Sequence, residues 1–242
     1  MKKFLAYLLA IALVTTILVI PGKADDWAPR GGWMPYDNFE ELVIDPEKWD
    51  VRENTADIYV VDGRVCFEHG DSSAPNISNW LYVNKYVDKL RGIRADIFVD
   101  YCEGDVRGRL AGTIAQVSTR DVFGQLALQG GLEPNPRAYG DLGLQEPGNP
   151  DSWEDLVWAR FPQPLDIIGN TFTVEWTFSR DASVYYLDGY GSIYYLYPER
   201  IRIGGYRFNV GIGTRSTNGE GPCKVCFDNV WILTNNSTNR YK

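Results

Sequence analysis

Amides, carboxylates and an arginine recur at alternate positions in four β-like stretches of this chain, which is the spacing a hydrogen-bonding surface needs. In FGQLALQG, Gln125, Ala127 and Gln129 point one way while Leu126 and Leu128 point the other. In AYGDLGLQ the split sets Tyr139, Asp141, Gly143 and Gln145 against Leu142 and Leu144. NTFTVEWTFS places Glu175 opposite Phe172, Val174, Trp176 and Phe178, and YRFNVGIG places Arg207 and Asn209 opposite Tyr206, Phe208, Val210 and Ile212. A strand face turned to water usually carries Thr, Lys and Glu. Gln, Asn, Asp and Tyr instead offer the paired donors and acceptors that sugar hydroxyls require. The expected binding residues are therefore Gln125, Gln129, Tyr139, Asp141, Gln145, Glu175, Arg207 and Asn209. Trp153 or Trp158 would stack on a pyranose face, and Trp80 is a further stacking candidate.

Other chemistries find less support. A Ser-His-Asp or Cys-His arrangement would have to use His69, the chain's one histidine, which stands at a strand end in CFEHGDSS and reads as a surface residue. No Gly-rich phosphate loop precedes a helix. The CKVC of Cys223 and Cys226 can be read as half a zinc site or a redox pair, but no second CxxC accompanies it.

The elements that must position these residues are strands. From Trp49 onward, short runs rich in Val, Ile, Tyr and Phe are broken by Gly, Asn, Asp and Pro, and no long amphipathic helix pattern occurs. One-sided strands in this number are naturally buried as antiparallel sheets packed face to face. The tyrosine-rich SVYYLDGYGSIYYLYPER reads as a hairpin with apolar residues on both faces, so most of its rings belong to a core or to cross-strand pairs rather than to an exposed platform. Tyr190, at the tip, is the ring expected to border a ligand groove.

Lys2 and Lys3 precede an apolar run from Phe4 to Ile20 that ends in PGKADD, which reads as a signal peptide over residues 1–24. An N-terminal extension over 25–36, a β-sandwich over 37–235 and a tail over 236–242 complete the expected organisation. The alternative of a spanning helix is opposed by the small residues Gly22 and Ala24 at the cleavage position, so no membrane insertion is expected once the leader is removed. The net charge of −8 becomes more negative without the lysines of the leader, and such a surface repels nucleic acid. Export to an oxidising compartment, whether secreted, periplasmic or cell-surface, favours disulfides among Cys66, Cys102, Cys223 and Cys226. Four cysteines allow three connectivities. In VCFE and VCFD, Cys66 and Cys226 each lie between an inward Val and Phe, which suggests Cys66 with Cys226 and Cys102 with Cys223.

FTVEWTFSRDASVYYLDG resembles the segment of laminarinase-like glucanases in which a core-Trp strand leads into a strand ending in Asp-Gly. YRFNVGIG is similar to their later strand with an Asn followed by small residues. DNFEELVIDPEKWDV and CFDNVWIL resemble the first and last strands of the concanavalin A-like lectin and glucanase superfamily. The resemblance implies an all-β, two-sheet antiparallel jelly roll that handles carbohydrate.

Glucanases of that superfamily carry an E-x-D-x-x-E strand, with a nucleophile and an acid/base close enough for retaining chemistry. No such string occurs here. Asp141 stands alone on its strand's polar face, and Asp141 with Glu175 across strands is the nearest substitute pair. The leading expectation is thus a lectin-like polysaccharide binder. A glycoside hydrolase or lyase using Asp141 and Glu175 is the alternative, and a surface or envelope protein that docks protein is the third. No cofactor is expected except calcium, for which Asp37, Asn38, Glu40 and Asp228 would meet if the terminal strands pair as in the resembled fold.

Overall fold

The computed structural model describes residues 18–20, 32–70, 77–84, 90–117, 119–131, 136–147, 149–162, 164–179, 181–197, 209–216 and 221–234. These residues form two antiparallel sheets and no helix. Nine strands make the larger sheet: β1 (Leu18–Ile20), β2 (Trp33–Asp37), β4 (Ala56–Val61), β5 (Arg64–His69), β7 (Leu90–Cys102), β12 (Thr171–Phe178), β13 (Ala182–Leu187), β14 (Gly191–Leu196) and β16 (Cys223–Thr234). Their order is β1-β14-β13-β12-β7-β16-β5-β4, with β2 also paired to β16. The smaller sheet uses seven strands: β3 (Trp49–Arg52), β6 (Ser78–Val83), β8 (Val106–Val117), β9 (Arg120–Gln129), β10 (Arg137–Glu146), β11 (Asn149–Arg160) and β15 (Asn209–Ser216). Their order is β11-β10-β9-β8-β15-β6-β3.

Alternation explains the core. Val174 and Trp176 of β12, Tyr185 and Leu187 of β13 and Ile193 of β14 turn inward from the larger sheet and are fully buried. Leu110, Leu126, Leu128, Leu142, Val210 and Ile212 meet them from the smaller one. Trp176 spans the layers: its indole lies over Gly124 of β9, where an added Cβ would stand 2.6 Å from Cζ2. In the tyrosine hairpin Tyr185 and Tyr195 are buried in the core, Tyr190 and Tyr197 pack against it half-buried, and Tyr186 and Tyr194 stand half-buried on the outer face. Tyr185 also ties the sheets together, its hydroxyl donating to the Asp141 carbonyl at 2.7 Å. Tyr190 lies against Phe172, ring centres 6.2 Å apart, at the end of the larger sheet.

The terminal strands pair as expected, Asp37 of β2 opposite Val230 of β16. The pairing begins at Trp33, inside the stretch read as an N-terminal extension, and Leu18–Ile20 lies beside β14. Both expected disulfides are present, Cys66–Cys226 and Cys102–Cys223, each joining directly opposed residues of neighbouring strands. The first lies on the outer face of the larger sheet, because Val65, Phe67, Val225 and Phe227 face inward.

Candidate functional site

The outward face of the seven-stranded sheet is the polar one, and its register assembles a site from rows of directly opposed residues. One row runs Asp141, Gln125, Ala111, Gly211, Tyr82 and Asp50. The next runs Tyr139, Ala127, Arg109, Gly213, Trp80 and Arg52. A third runs Arg137, Gln129, Arg107, Arg215 and Ser78. Ala111 and Gly211 occupy the middle of the first row and Gly213 stands between Arg109 and Trp80 in the second, which sinks a groove of about 390 Å³ between taller side chains.

Aromatic rings form both walls. On β6, Trp80 and Tyr82 stack at 5.1 Å; on the far side Phe123 of β9 meets Trp153 of β11 edge-on at 6.0 Å. β15 and β8 separate β6 from β9, so the walls stand about 14 Å apart at the usual strand spacing. Trp80, Tyr82 and Ala111 with Phe123 form an apolar cluster separate from the main core. Two glycines permit the approach of the large rings. An added Cβ at Gly143 would stand 2.6 Å from Trp153 Cε2, and one at Gly213 would stand 2.6 Å from Trp80 Cε3. The bare Gly213, between Arg109 and Trp80, lets the guanidinium reach across one strand and lie 4.0 Å above the indole centre.

A connected polar chain forms the floor. Arg109 Nη2 donates to Ser78 Oγ at 2.8 Å and Nη1 to Gln125 Oε1 at 2.9 Å; Gln125 Nε2 then donates to Asp141 Oδ2 at 2.7 Å. At the groove's end Arg137 Nε donates to Gln129 Oε1 at 2.7 Å, and Gln129 Nε2 donates to Asp105. Four buried polar atoms have no partner within the described chain: Asp141 Oδ1, Tyr139 Oη, Arg107 Nε and Arg109 Nε. Burial shifts the titrations of Asp141, Arg109 and Tyr139. Asp141 is pushed up to about 7 by desolvation, against the opposing pull of Gln125 and of Arg107 and Arg109. Desolvation and the nearby Arg215 bring Arg109 down to about 9. Desolvation likewise carries the Tyr139 phenol up to about 12.

The expected residues divide between this groove and elsewhere. Gln125, Asp141, Gln145 and Trp153 line it, and Gln129 and Tyr139 sit in the adjoining rows. Trp158, 43% exposed, leans on Tyr139 at 6.0 Å beside the lining. Asn209 shares the face, opposite Thr113, but not the lining, and Arg207 lies outside the described residues. Glu175 is not brought to Asp141. It belongs to β12 of the other sheet, opposite Arg94 and Tyr186, and since Val174 and Trp176 face the core it points outward on the far side of the sandwich. The proposed carboxylate couple is therefore separated by the whole core. His69 is buried rather than superficial, bonded through Nε2 to Thr214 Oγ1 at 2.8 Å, and burial lowers it to about 4.

For calcium, Asp37 uses Oδ1 to accept the Phe39 N–H at 3.1 Å and Oδ2 to accept the Trp49 indole N–H at 2.7 Å, with Lys48 Nζ 3.5 Å away. Asp228 accepts the Asn229 N–H at 2.6 Å. No group of three or more His, Cys, Asp or Glu side chains suited to a metal occurs among the described residues. Asn38 and Glu40 flank the turn at Phe39, with the Glu40 carboxylate beside Gly63.

Ser78, Tyr82, Arg107, Arg109, Phe123 and Arg215 were not legible as site residues. For two arginines a signal exists: VRGRLAGT alternates Arg107 and Arg109 with Ala111 on one face. Trp80, Trp153 and Trp158 are strand residues of β6 and β11, not loop residues.

No family model matches the chain, and no curated protein does. Solved structures do. The catalytic domain of an endo-1,3-β-glucanase (laminarinase) from Thermotoga petrophila superposes with a TM-score of 0.58 at 12% identity, covering 84% of this chain and 98% of that one. A kappa-carrageenase from Pseudoalteromonas carrageenovora, in complex with an oligotetrasaccharide of kappa-carrageenan, gives 0.56 at 16% identity, covering 85% and 96%. A kappa-carrageenase from Zobellia galactanivorans gives 0.55 at 13%, covering 85% and 96%. The chain thus has the concanavalin A-like jelly-roll fold of these glycoside hydrolases.

Proposed function

We propose that the chain is an exported carbohydrate-binding protein that holds a polysaccharide in the groove of its seven-stranded sheet. The observation that carries this reading is the pairing of two aromatic walls with a floor of amide, carboxyl and guanidinium groups, four of whose polar atoms have no partner within the described chain. Pyranose rings present apolar faces and polar edges, so flat rings at the sides and fixed donors and acceptors below match both. The fold shared with laminarinase and carrageenases supports a glycan as ligand, and the two disulfides suit an oxidising compartment.

Hydrolysis is the second reading, and one observation favours it: Asp141, raised to about 7, is tuned like a general acid. Glycoside hydrolysis ordinarily uses two carboxyl groups about 5 to 9.5 Å apart. Asp141 is the one carboxyl among the described residues that line the groove. Asp155 of β11, opposite Gly143, is near enough for its charge to raise Asp141, but its carboxylate accepts the Trp153 indole N–H at 2.6 Å and lies outside the lining. On β9, Gln125, Ala127 and Gln129 turn to this face, with no carboxylate among them. Binding without turnover is the better match. A glycan array with affinity electrophoresis tests it, Trp80→Ala and Trp153→Ala each weakening binding by about 1–2 kcal/mol. Release of reducing ends by the wild-type protein, lost in Asp141→Asn, would replace this reading with the hydrolase.

A further inference from the structure

We infer that the groove selects an anionic polysaccharide, one whose sugars carry sulfate or carboxylate groups, through Arg107, Arg109 and Arg215; this rests on the proposal that the groove binds glycan. The chain as a whole is acidic, with a net charge of −8, yet the groove reverses that sign. Among the described residues three arginines line it and a single carboxyl, Asp141, accompanies them, with Asp155 beside it on β11 but outside the lining. Asp105, which accepts from Gln129, is an acid at the margin, outside the lining.

The arginines are crowded together on one face. Arg107 and Arg215 are directly opposed on hydrogen-bonded strands β8 and β15, and like charges at such positions destabilise a sheet. Arg109 follows two residues along β8 on the same face. The charges of Arg107 and Arg215 each press on Arg109, and that of Arg107 presses on Arg215. Arg109 is anchored over Trp80 and bonded to Ser78 and Gln125, so its plane is fixed before any ligand arrives, while its Nε and that of Arg107 have no protein acceptor among the described residues. Fixed guanidinium donors beside an indole wall suit a ligand that pairs a flat sugar face with an oxyanion.

Affinity measurement on the purified protein tests this with four probes: a sulfated galactan such as kappa-carrageenan, polygalacturonate, and the neutral laminarin and agarose. The expected result is binding to the sulfated or the uronate polymer, weakened several-fold between about 50 and 500 mM salt, and weakened about tenfold or more by Arg107→Gln. Binding of one anionic polymer alone identifies its anion as the one recognised, and binding of both shows that charge suffices. The salt dependence needs no variant, so the test survives a misfolded Arg107→Gln. Equal, salt-insensitive binding of the neutral polymers overturns the anionic selection and leaves the glycan groove standing. Failure of the wild-type protein to bind any of the four or any arrayed glycan overturns both.

Discussion

The two sheets turn very different surfaces outward, although both are built by the same alternation of apolar and polar residues. On the nine-stranded sheet the ionised groups are provided for. Glu68 accepts from the hydroxyls of both Tyr59 and Tyr101, Asp96 accepts from Thr173 at 2.6 Å and Asn229 at 2.9 Å, and Arg94 lies between the rings of Trp33 and Trp231. Among the described residues, the partnerless buried side-chain atoms on that sheet are the Trp33 indole N–H and the hydroxyls of Ser192 and Thr234, none of them charged. On the seven-stranded sheet they include Asp141, Arg107 and Arg109. Leaving a buried donor or acceptor unpaired costs about 1–3 kcal/mol, more for a charge. One face therefore spends its polar groups on stability, while the other keeps them for something outside the chain.

The largest expected effect marks what the faces share. Trp176 joins both layers, so Trp176→Ala should lower stability by about 3–5 kcal/mol. A chemical-denaturation curve unchanged from wild type would remove the common core against which the faces are compared. Next comes the outer face of the larger sheet. Replacing Cys66 and Cys226 together by alanine should cost about 2–4 kcal/mol by releasing a closed loop of the unfolded chain, with glycan affinity intact. Loss of affinity in the still-folded variant would mean that the two faces are coupled.

A third effect concerns the groove's own cost. Asp141 has a folded pKa of about 7, above its ordinary 3.8. The folded state therefore holds the proton more tightly, and the stability this provides is present at low pH and lost as pH rises toward 7. His69 acts in the opposite sense: lowered to about 4 by burial, it costs stability as pH falls below 6.5. Wild type alone would show a flattened profile. The difference between wild type and Asp141→Asn isolates the carboxyl, and it should shift in favour of wild type by roughly 2–3 kcal/mol from pH 8 to pH 5. A pH-independent difference would place Asp141 in water and undo the groove's description.

Much of this fold was legible because alternation is local. Trp176, Val174, Leu126, Leu142, Val210 and Ile212 fall inward where their two-residue period puts them, and the Cys66–Cys226 bridge follows from the same period in VCFE and VCFD. Alternation assigns a residue to a side of its own strand; it says nothing about which sheet the strand joins. Glu175 and Asp141 were both correctly turned away from the core, yet they face opposite sides of the molecule because β12 and β10 lie in different layers. For the arginines, the alternation in VRGRLAGT marks the shared face of Arg107 and Arg109 but not what they meet there. Arg107 and Arg215 acquire meaning from opposing one another across β8 and β15, a contact between residues far apart in the chain.

The smallest expected effect is also the most direct test of that layer assignment. Glu175→Gln should leave glycan affinity unchanged, while Asp141→Asn should weaken it by about 1–3 kcal/mol, the loss expected when one member of a buried hydrogen-bonded network changes its donor and acceptor pattern. Both substitutions preserve shape and remove one carboxyl, so they differ mainly in location. Glu175 is buried opposite Arg94 and Tyr186, and its amide can lower stability by disturbing those neighbours. Affinity must therefore be measured well below the melting temperature of each variant, on protein whose circular dichroism matches wild type. If Glu175→Gln then weakens binding as much as Asp141→Asn, the ligand contacts the outer face of the nine-stranded sheet, and the division between a self-satisfied face and a ligand-directed face fails. If only Asp141→Asn does so, the carboxyl that matters is the one whose second oxygen has no partner within the described chain.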